Sequence, residues 1–260
     1  MYLKNSVIII FVLLIVLNVG CLNSSDNKNE EDYSGSLLLD VSNAKGIAWV
    51  GPHCDDDITS SELLGLASLG YHKNVYVISL NENAISFPPG ADINDRHQDN
   101  EDLKNYLNLV DYVRLGLDGL DDDSKKQGLY NYLDNLTEKN NVNMLITFEN
   151  THGYNGNTEH PVVSNWVTEY AQENNLVLYY VINRDPIIGD GELDPLPVTD
   201  SIDLDNTYVV DTEGKNITLW ELGVNVLEIY KTSVPSALNL VENQNRLNRV
   251  LHEKYYRKVN

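Results

Sequence analysis

Five short apolar runs recur between residues 46 and 182: GIAWV at Gly46–Val50, NVYVISL at Asn74–Leu80, YVRLGL at Tyr112–Leu117, NMLITF at Asn143–Phe148 and LVLYYVI at Leu176–Ile182. Runs of that length, bounded by turn residues, read as buried strands. Helix-length segments separate them: Ile58–Leu69, Asn94–Val110, Lys125–Glu138 and Pro161–Glu173. The first carries Leu63, Leu64, Leu66 and Leu69 on one stripe and stops at Gly70. The last opens on a proline, which a first helical turn tolerates. Such regular β-α-β alternation admits few folds. It predicts an α/β domain with a Rossmann-like, mostly parallel sheet and helices on both faces.

The segment after Ile182 follows a different pattern. Asn183–Asp205 is rich in Pro, Gly and Asp and reads as a long loop. Its portion Arg184–Thr199 follows a late strand and is placed to act as a lid. Asn206–Val210 reads as an edge strand, and Leu219–Tyr230 and Ala237–Arg257 read as helices broken at Pro235.

Residues 1–20 carry one lysine, Lys4, then an apolar stretch from Val7 to Leu17, and Cys21 follows Gly20. This is the layout of a secretory signal peptide of the lipoprotein type, with Cys21 as the lipidated residue. An uncleaved N-terminal anchor is the other reading, although the stretch is short of the roughly 20 apolar residues a span needs. Either places the domain outside the cytoplasmic membrane and attached to it. Residues 21–36 are almost wholly polar and read as a flexible tether. Residues 37–260 have the composition of one globular domain. With 18 basic against 39 acidic residues the formal charge is −21, which excludes nucleic acid as a partner. Cys21 and Cys54 are the only cysteines, so a lipidated Cys21 leaves no disulfide within one chain.

The densest chemistry is Pro52-His53-Cys54-Asp55-Asp56-Asp57, directly after the first apolar run. That places it at the carboxyl end of a strand, where open α/β sheets bind ligands. One imidazole and three carboxylates in five residues ask for a cation. His53 and Asp56, three apart in a tight loop, can meet on one metal, and Asp55 would then point elsewhere, free to act as a base. A catalytic zinc needs a third protein ligand and an open water position. His72, His97 and His252 read as surface residues. His152 and His160 flank a glycine-containing loop after another predicted central strand, so they emerge at the same sheet edge, and His160 begins a helix that would fix its orientation.

GPHCDDD resembles the A-[P]-H-P-D-D-E signature of the LmbE/PIG-L-like zinc-dependent N-deacetylases. His152-Gly153-Tyr154-Asn155-Gly156-Asn157-Thr158-Glu159-His160 is similar to that family's later H-G-G-Y-G-H-P-D-H segment. Arg96-His97-Gln98-Asp99 resembles its arginine-acid helix, Leu117-Asp118-Gly119 the turn after its third strand, and Leu227-Glu228-Ile229-Tyr230-Lys231-Thr232-Ser233 a late helix. The resemblance implies His53, Asp56 and His160 as zinc ligands and Asp55 as general base. It implies Arg96 and Asp118 as groups that hold sugar hydroxyls. His152 and Asn157 stand as oxyanion or proton-donor candidates. Two neutral imidazoles and one carboxylate would leave zinc net positive, able to acidify water and polarise an amide carbonyl. The implied activity is zinc-dependent removal of an acetyl group from an N-acetylated amino sugar or glycoconjugate.

The chain departs from the pattern at four places. Cys54 replaces a proline and reads as a small buried residue. Asp57 replaces Glu and reads as a helix cap or a support for the ligands. Glu159 replaces Asp beside the last ligand, a mild change. Asn157 replaces a histidine and can donate a hydrogen bond to an oxyanion but cannot shuttle a proton. The last departure motivates a second reading, a non-catalytic surface lipoprotein that binds carbohydrate or metal on the same fold.

Overall fold

The five apolar runs stand side by side in one sheet. In the computed structural model, which describes residues 36–82, 87–120, 123–183, 197–243 and 253–259, they form β1 (Gly46–Gly51), β2 (Asn74–Ser79), β3 (Asp111–Arg114), β4 (Met144–Phe148) and β5 (Val177–Ile182). Strands β6 (Asp200–Asp203) and β9 (Glu253–Lys258) complete a seven-stranded sheet of order β3-β2-β1-β4-β5-β9-β6. Strands β1 to β5 are parallel, and β9 and β6 add antiparallel pairings at one side. A separate ribbon pairs β7 (Tyr208–Val210) with β8 (Asn216–Thr218).

The strand alternation sorts side chains to two cores. Ile47, Trp49, Val75, Val77, Ile146 and Phe148 face one layer of helices. That layer contains α1 (Ser36–Asn43), α2 (Ser61–Gly65), α3 (Ile93–Tyr106), α6 (Leu219–Tyr230) and α7 (Pro235–Glu242). Ala48, Val50, Ile78, Leu145 and Leu178 face the other, built from α4 (Asp123–Asn140) and α5 (Glu159–Glu173). Helices therefore cover both faces, as the alternation predicts.

The strand order reverses between β2-β1 and β4-β5, so β1 and β4 are neighbours whose following loops leave the sheet in opposite directions. The carboxyl ends at such a reversal are the usual ligand position of open α/β sheets. His53 follows β1, and His160 lies in the first turn of α5, after β4.

Three expectations need correction. The segment after β1 is not one α-helix. It is a 3₁₀ turn at Asp56–Ser60, then α2, then a π turn at Leu66–Gly70. A strand, β6, occupies part of the loop expected over Asn183–Asp205. The expected helix Ala237–Arg257 also fails: α7 ends at Glu242, and Glu253–Lys258 is β9. EKYYRK reads as the charged face of a helix, yet Lys254 and Tyr256 are buried while Tyr255 and Arg257 are half-buried, an alternation with strand period. Its burial comes from pairing with β5, some 75 positions earlier, through Val181↔Tyr256 and Ile182↔Tyr255. Lys254 is neutralised there by buried Glu62, 3.4 Å away.

The expected signal peptide, Cys21 and the tether up to Gly35 lie outside the described residues, as do His252 and most of the expected lid. Among the described residues, no helix is long and apolar enough to cross a membrane.

Candidate metal centre and active site

Two turns, each organised by a carboxylate and a glycine, bring the ligand candidates together. After β1 the chain turns so that His53 N–H donates to Asp56 Oδ2 at 2.7 Å. Gly51 lies under this turn, and a Cβ there would come within 3.2 Å of Asp56 Oδ2. After β4, the fully buried Glu149 accepts backbone N–H groups from Thr151 and His152, at 2.6 Å each, and from Tyr154 at 3.3 Å. This one carboxylate organises the loop. It holds Gly153 at φ +60° and Tyr154 at φ +67°, a left-handed conformation uncommon for an aromatic residue. Gly153 O then accepts from His160 Nδ1 at 2.6 Å. A side chain at 153 would collide with His160, at 2.5 Å from its Cβ.

His53, Asp56 and His160 converge, with one donor atom from each lying within 4.8 Å of the others. His53 Nδ1 is 3.2 Å from Asp56 Oδ2, and His160 Nε2 is 3.2 Å from Asp56 Oδ1. All three are buried. The His160 ring stacks on Phe148, at 4.1 Å between centroids and 6° between planes.

A metal fits this set on a specific ground. His160 Nε2 is buried and has no hydrogen-bond partner. Its Nδ1 is engaged by Gly153 O, which fixes the tautomer and leaves an Nε2 lone pair facing a carboxylate oxygen. Two acceptors facing each other in a buried space are stabilised by a cation placed between them. The donor set, two imidazoles and one carboxylate, is one that zinc takes in catalytic sites.

Without metal, the cluster is strongly polarised. Burial disfavours a charged His53, but the hydrogen bond and charge of Asp56 and the hydrogen bond to Glu159 outweigh it and raise its pKa to about 9. Burial also opposes ionisation of Asp56, yet His160 and His53 hold its carboxyl below the usual range. Asp55 behaves oppositely: burial and then the charge of Asp56 raise its pKa, against the pull of Arg96.

Asp55 is the partly open acid of the cluster, with its side chain 29% exposed. Its Oδ2 pairs with Arg96 Nη1 at 2.9 Å. Arg96 itself is fully buried: Nε donates to Ser233 Oγ at 2.8 Å and Nη2 to Ser233 O at 2.6 Å. Ser233 Oγ in turn donates to Asp99 Oδ2 at 2.5 Å. Arg96 is thus gripped by Asp55 on one side and Ser233 on the other.

The other candidates are dispersed. Asp118 is exposed, and its Oδ1 accepts from Glu82 N–H at 3.3 Å. His152 is half-buried and outside the three-residue cluster. Asn157 Oδ1 accepts from Glu159 N–H at 2.9 Å at the start of α5. Cys54 is a free, fully buried thiol, pushed up to about 12 by burial. Asp57 is fully buried beneath the site, accepting from Tyr112 Oη at 2.7 Å and Tyr230 Oη at 3.0 Å. His72 is exposed as expected, whereas His97 is half-buried.

Two residues of the site were missed by sequence reasoning, Glu149 and Glu159. Glu159 Oε2 lies 2.6 Å from His53 Nε2. An acid next to a ligand histidine was a visible signal. That it serves the other histidine was not.

A buried His-Asp-His cluster at the switch point of a Rossmann-like sheet, with a half-open carboxylate beside it, makes this an α/β protein with a candidate metal site. No family model and no curated protein matches the sequence. Solved structures do match. The N,N'-diacetylchitobiose deacetylase from Pyrococcus horikoshii aligns with TM-score 0.59 and 11% identity, over 91% of this chain and 95% of that one. The A40926 pseudoaglycone deacetylase aligns with TM-score 0.56 and 13% identity, over 82% and 98%. The 4-carboxy-2-hydroxymuconate hydratase from Pseudomonas putida aligns with TM-score 0.56 and 11% identity, over 83% and 96%. At these identities the likeness is one of fold, and it is the fold implied by the resemblance to the LmbE/PIG-L-like deacetylases. The hydratase shows that this fold hosts more than one reaction.

Proposed function

We propose that this protein is a zinc-dependent hydrolase that removes an acetyl group from an N-acetylated amino sugar or glycoconjugate. One observation carries the reading: the half-open Asp55 lies in the same turn as two members of the His53-Asp56-His160 cluster, held by Arg96. Deacetylases among the proteins of the same fold support it. His53, Asp56 and His160 hold the zinc, which when bound supplies Lewis acidity toward water and the amide carbonyl. Asp55 takes the proton of the attacking water and returns it to the leaving amine. Arg96 keeps the carboxylate oriented, and the half-exposed Asn157 offers a neutral hydrogen bond to the oxyanion. Attachment outside the cell membrane, through Cys21 or an N-terminal anchor, belongs to the same reading.

The test is zinc content of the purified full-length protein together with acetate release from a panel of N-acetylated sugars. Zinc binding with acetate release from one of them supports the proposal. Zinc without turnover on any of them favours the carbohydrate- or metal-binding reading, which the neutral Asn157 motivates. Hydration of an unsaturated acid in place of acetate release would align the protein with the hydratase.

A further inference from the structure

Glu159 precedes a proposed ligand in sequence but serves a different one in space. Its Oε2 lies 2.6 Å from Nε2 of His53, a ring only 4% exposed. Asn157 Oδ1 receives the Glu159 N–H at 2.9 Å, so α5 starts with Glu159 in its first turn beside the β1 loop. A second grip comes from the end of β2: Asn81 Nδ2 donates to the same Glu159 oxygen at 3.4 Å. Asn81 is buried and pinned by its backbone. Its N–H donates to Pro52 O at 2.8 Å, and its carbonyl accepts from Ser79 Oγ at 2.8 Å. The ends of β1, β2 and β4 therefore converge on one imidazole nitrogen.

We infer that Glu159, held by Asn81, is a positioning residue for the metal: it accepts the Nε2–H of His53 and so fixes the tautomer and ring angle that present Nδ1 to the ion. The inference rests on the zinc reading above. A neutral imidazole has one N–H, and the partner of one nitrogen decides which nitrogen is left as ligand. With Nε2–H bound to Glu159, the lone pair falls on Nδ1, which already lies 3.2 Å from Asp56 Oδ2. The carboxylate also makes the ring a stronger donor to the metal. His160 is oriented by a backbone carbonyl and His53 by a carboxylate, so the two ligands differ in basicity by construction. Glu159 is 35% exposed, and without it the buried His53 keeps Asp56, 3.2 Å away, as its counter-charge.

Glu159→Ala, Glu159→Gln and Asn81→Ala in the full-length, metal-free protein separate this role from a structural one. Zinc affinity is read by competition with a chromophoric chelator, and Co²⁺ substitution reports ligand geometry by its visible absorption. Glu159→Ala should bind zinc about 10–100-fold more weakly and alter the Co²⁺ spectrum, with the metal-free protein still unfolding in one cooperative transition. Glu159→Gln, which keeps a neutral acceptor, and Asn81→Ala should fall between it and wild type. Zinc affinities of both Glu159 variants within about twofold of wild type would overturn the inference, since removal of such orienting partners costs more. A wild-type protein that binds no zinc would overturn it together with the reading beneath it. Normal wild-type binding with unaffected variants would sink this inference alone.

Discussion

Arg96 Nη1 and Asp55 Oδ2 form a 2.9 Å ion pair in which the arginine is fully buried and the carboxylate is not. The pairing lets Arg96 orient Asp55, a role additional to the sugar-holding one the resemblance implies. Arg96→Lys cannot reproduce the fork that spans Asp55 and Ser233. It should lower kcat by about 10²-fold, the scale of a displaced catalytic group, and leave KM nearly unchanged. A KM that rises with kcat intact would leave Arg96 the substrate-holding role alone.

Asp55→Asn should keep the metal and lose the reaction. Asp55 is absent from the converging donor set, so bound zinc should match wild type. Loss of a general base costs about 10²–10⁴-fold in rate. Metal analysis beside acetate-release kinetics checks both halves, and a fully active variant would remove Asp55 from the mechanism.

His160→Ala should abolish zinc binding. In wild type, saturating zinc at about 100 times its Kd should stabilise the fold by about 2.7 kcal/mol, and a chelator should reverse this. Thermal unfolding of the variant should therefore not respond to zinc. Each zinc bound near neutral pH should also release protons, since His53 titrates at about 9 without metal and must be neutral to ligate.

Asp57 makes the metal-free protein pH-sensitive. Burial lifts its carboxyl from 3.8 to about 7, against the hydrogen bonds of Tyr112 and Tyr230. Between those values the folded state keeps a proton that the unfolded state has lost, so stability falls as pH rises through that window and levels off above it. Urea unfolding of the metal-free protein at the two ends of the window should show wild type losing a few kcal/mol more than Asp57→Asn. Equal pH slopes in the two proteins would contradict this.

The Glu62–Lys254 pair ties β9 to α2 from inside the core. Lys254→Met leaves Glu62 buried and unpaired and should destabilise by about 3–5 kcal/mol. Adding Glu62→Gln should recover part of that loss in a double-mutant cycle. A loss under about 1 kcal/mol, the scale of an exposed pair, would mean the pair is solvated.

The sequence carried more of the core than of the periphery. The strands β1, β2, β4 and β5 have apolar runs because both faces are covered, so periodicity alone locates them within a residue or two. The edge was misread where charged residues take strand positions. Lys254 in β9 gives no apolar signal, because its burial is made possible by Glu62, nearly two hundred positions earlier. In the site, His53, Asp55, Asp56 and His160 are visible as residue types at the ends of predicted strands. Their division of labour is less so. Arg96 could be noticed from its motif, but only packing shows it enclosed by Ser233 and Asp99.

The sequence by itself determined the class of fold, the sheet edge where chemistry collects and the residue types available there. Those follow from local periodicity and from charge that a strand end must have neutralised. The tertiary structure decided which nitrogen of each histidine is left for a metal, which carboxylate stays half-open and that Glu159 serves His53 rather than its neighbour. These are contacts between segments about a hundred residues apart. Hydrogen-bond direction and burial arise only once the ends of β1, β2 and β4 lie side by side.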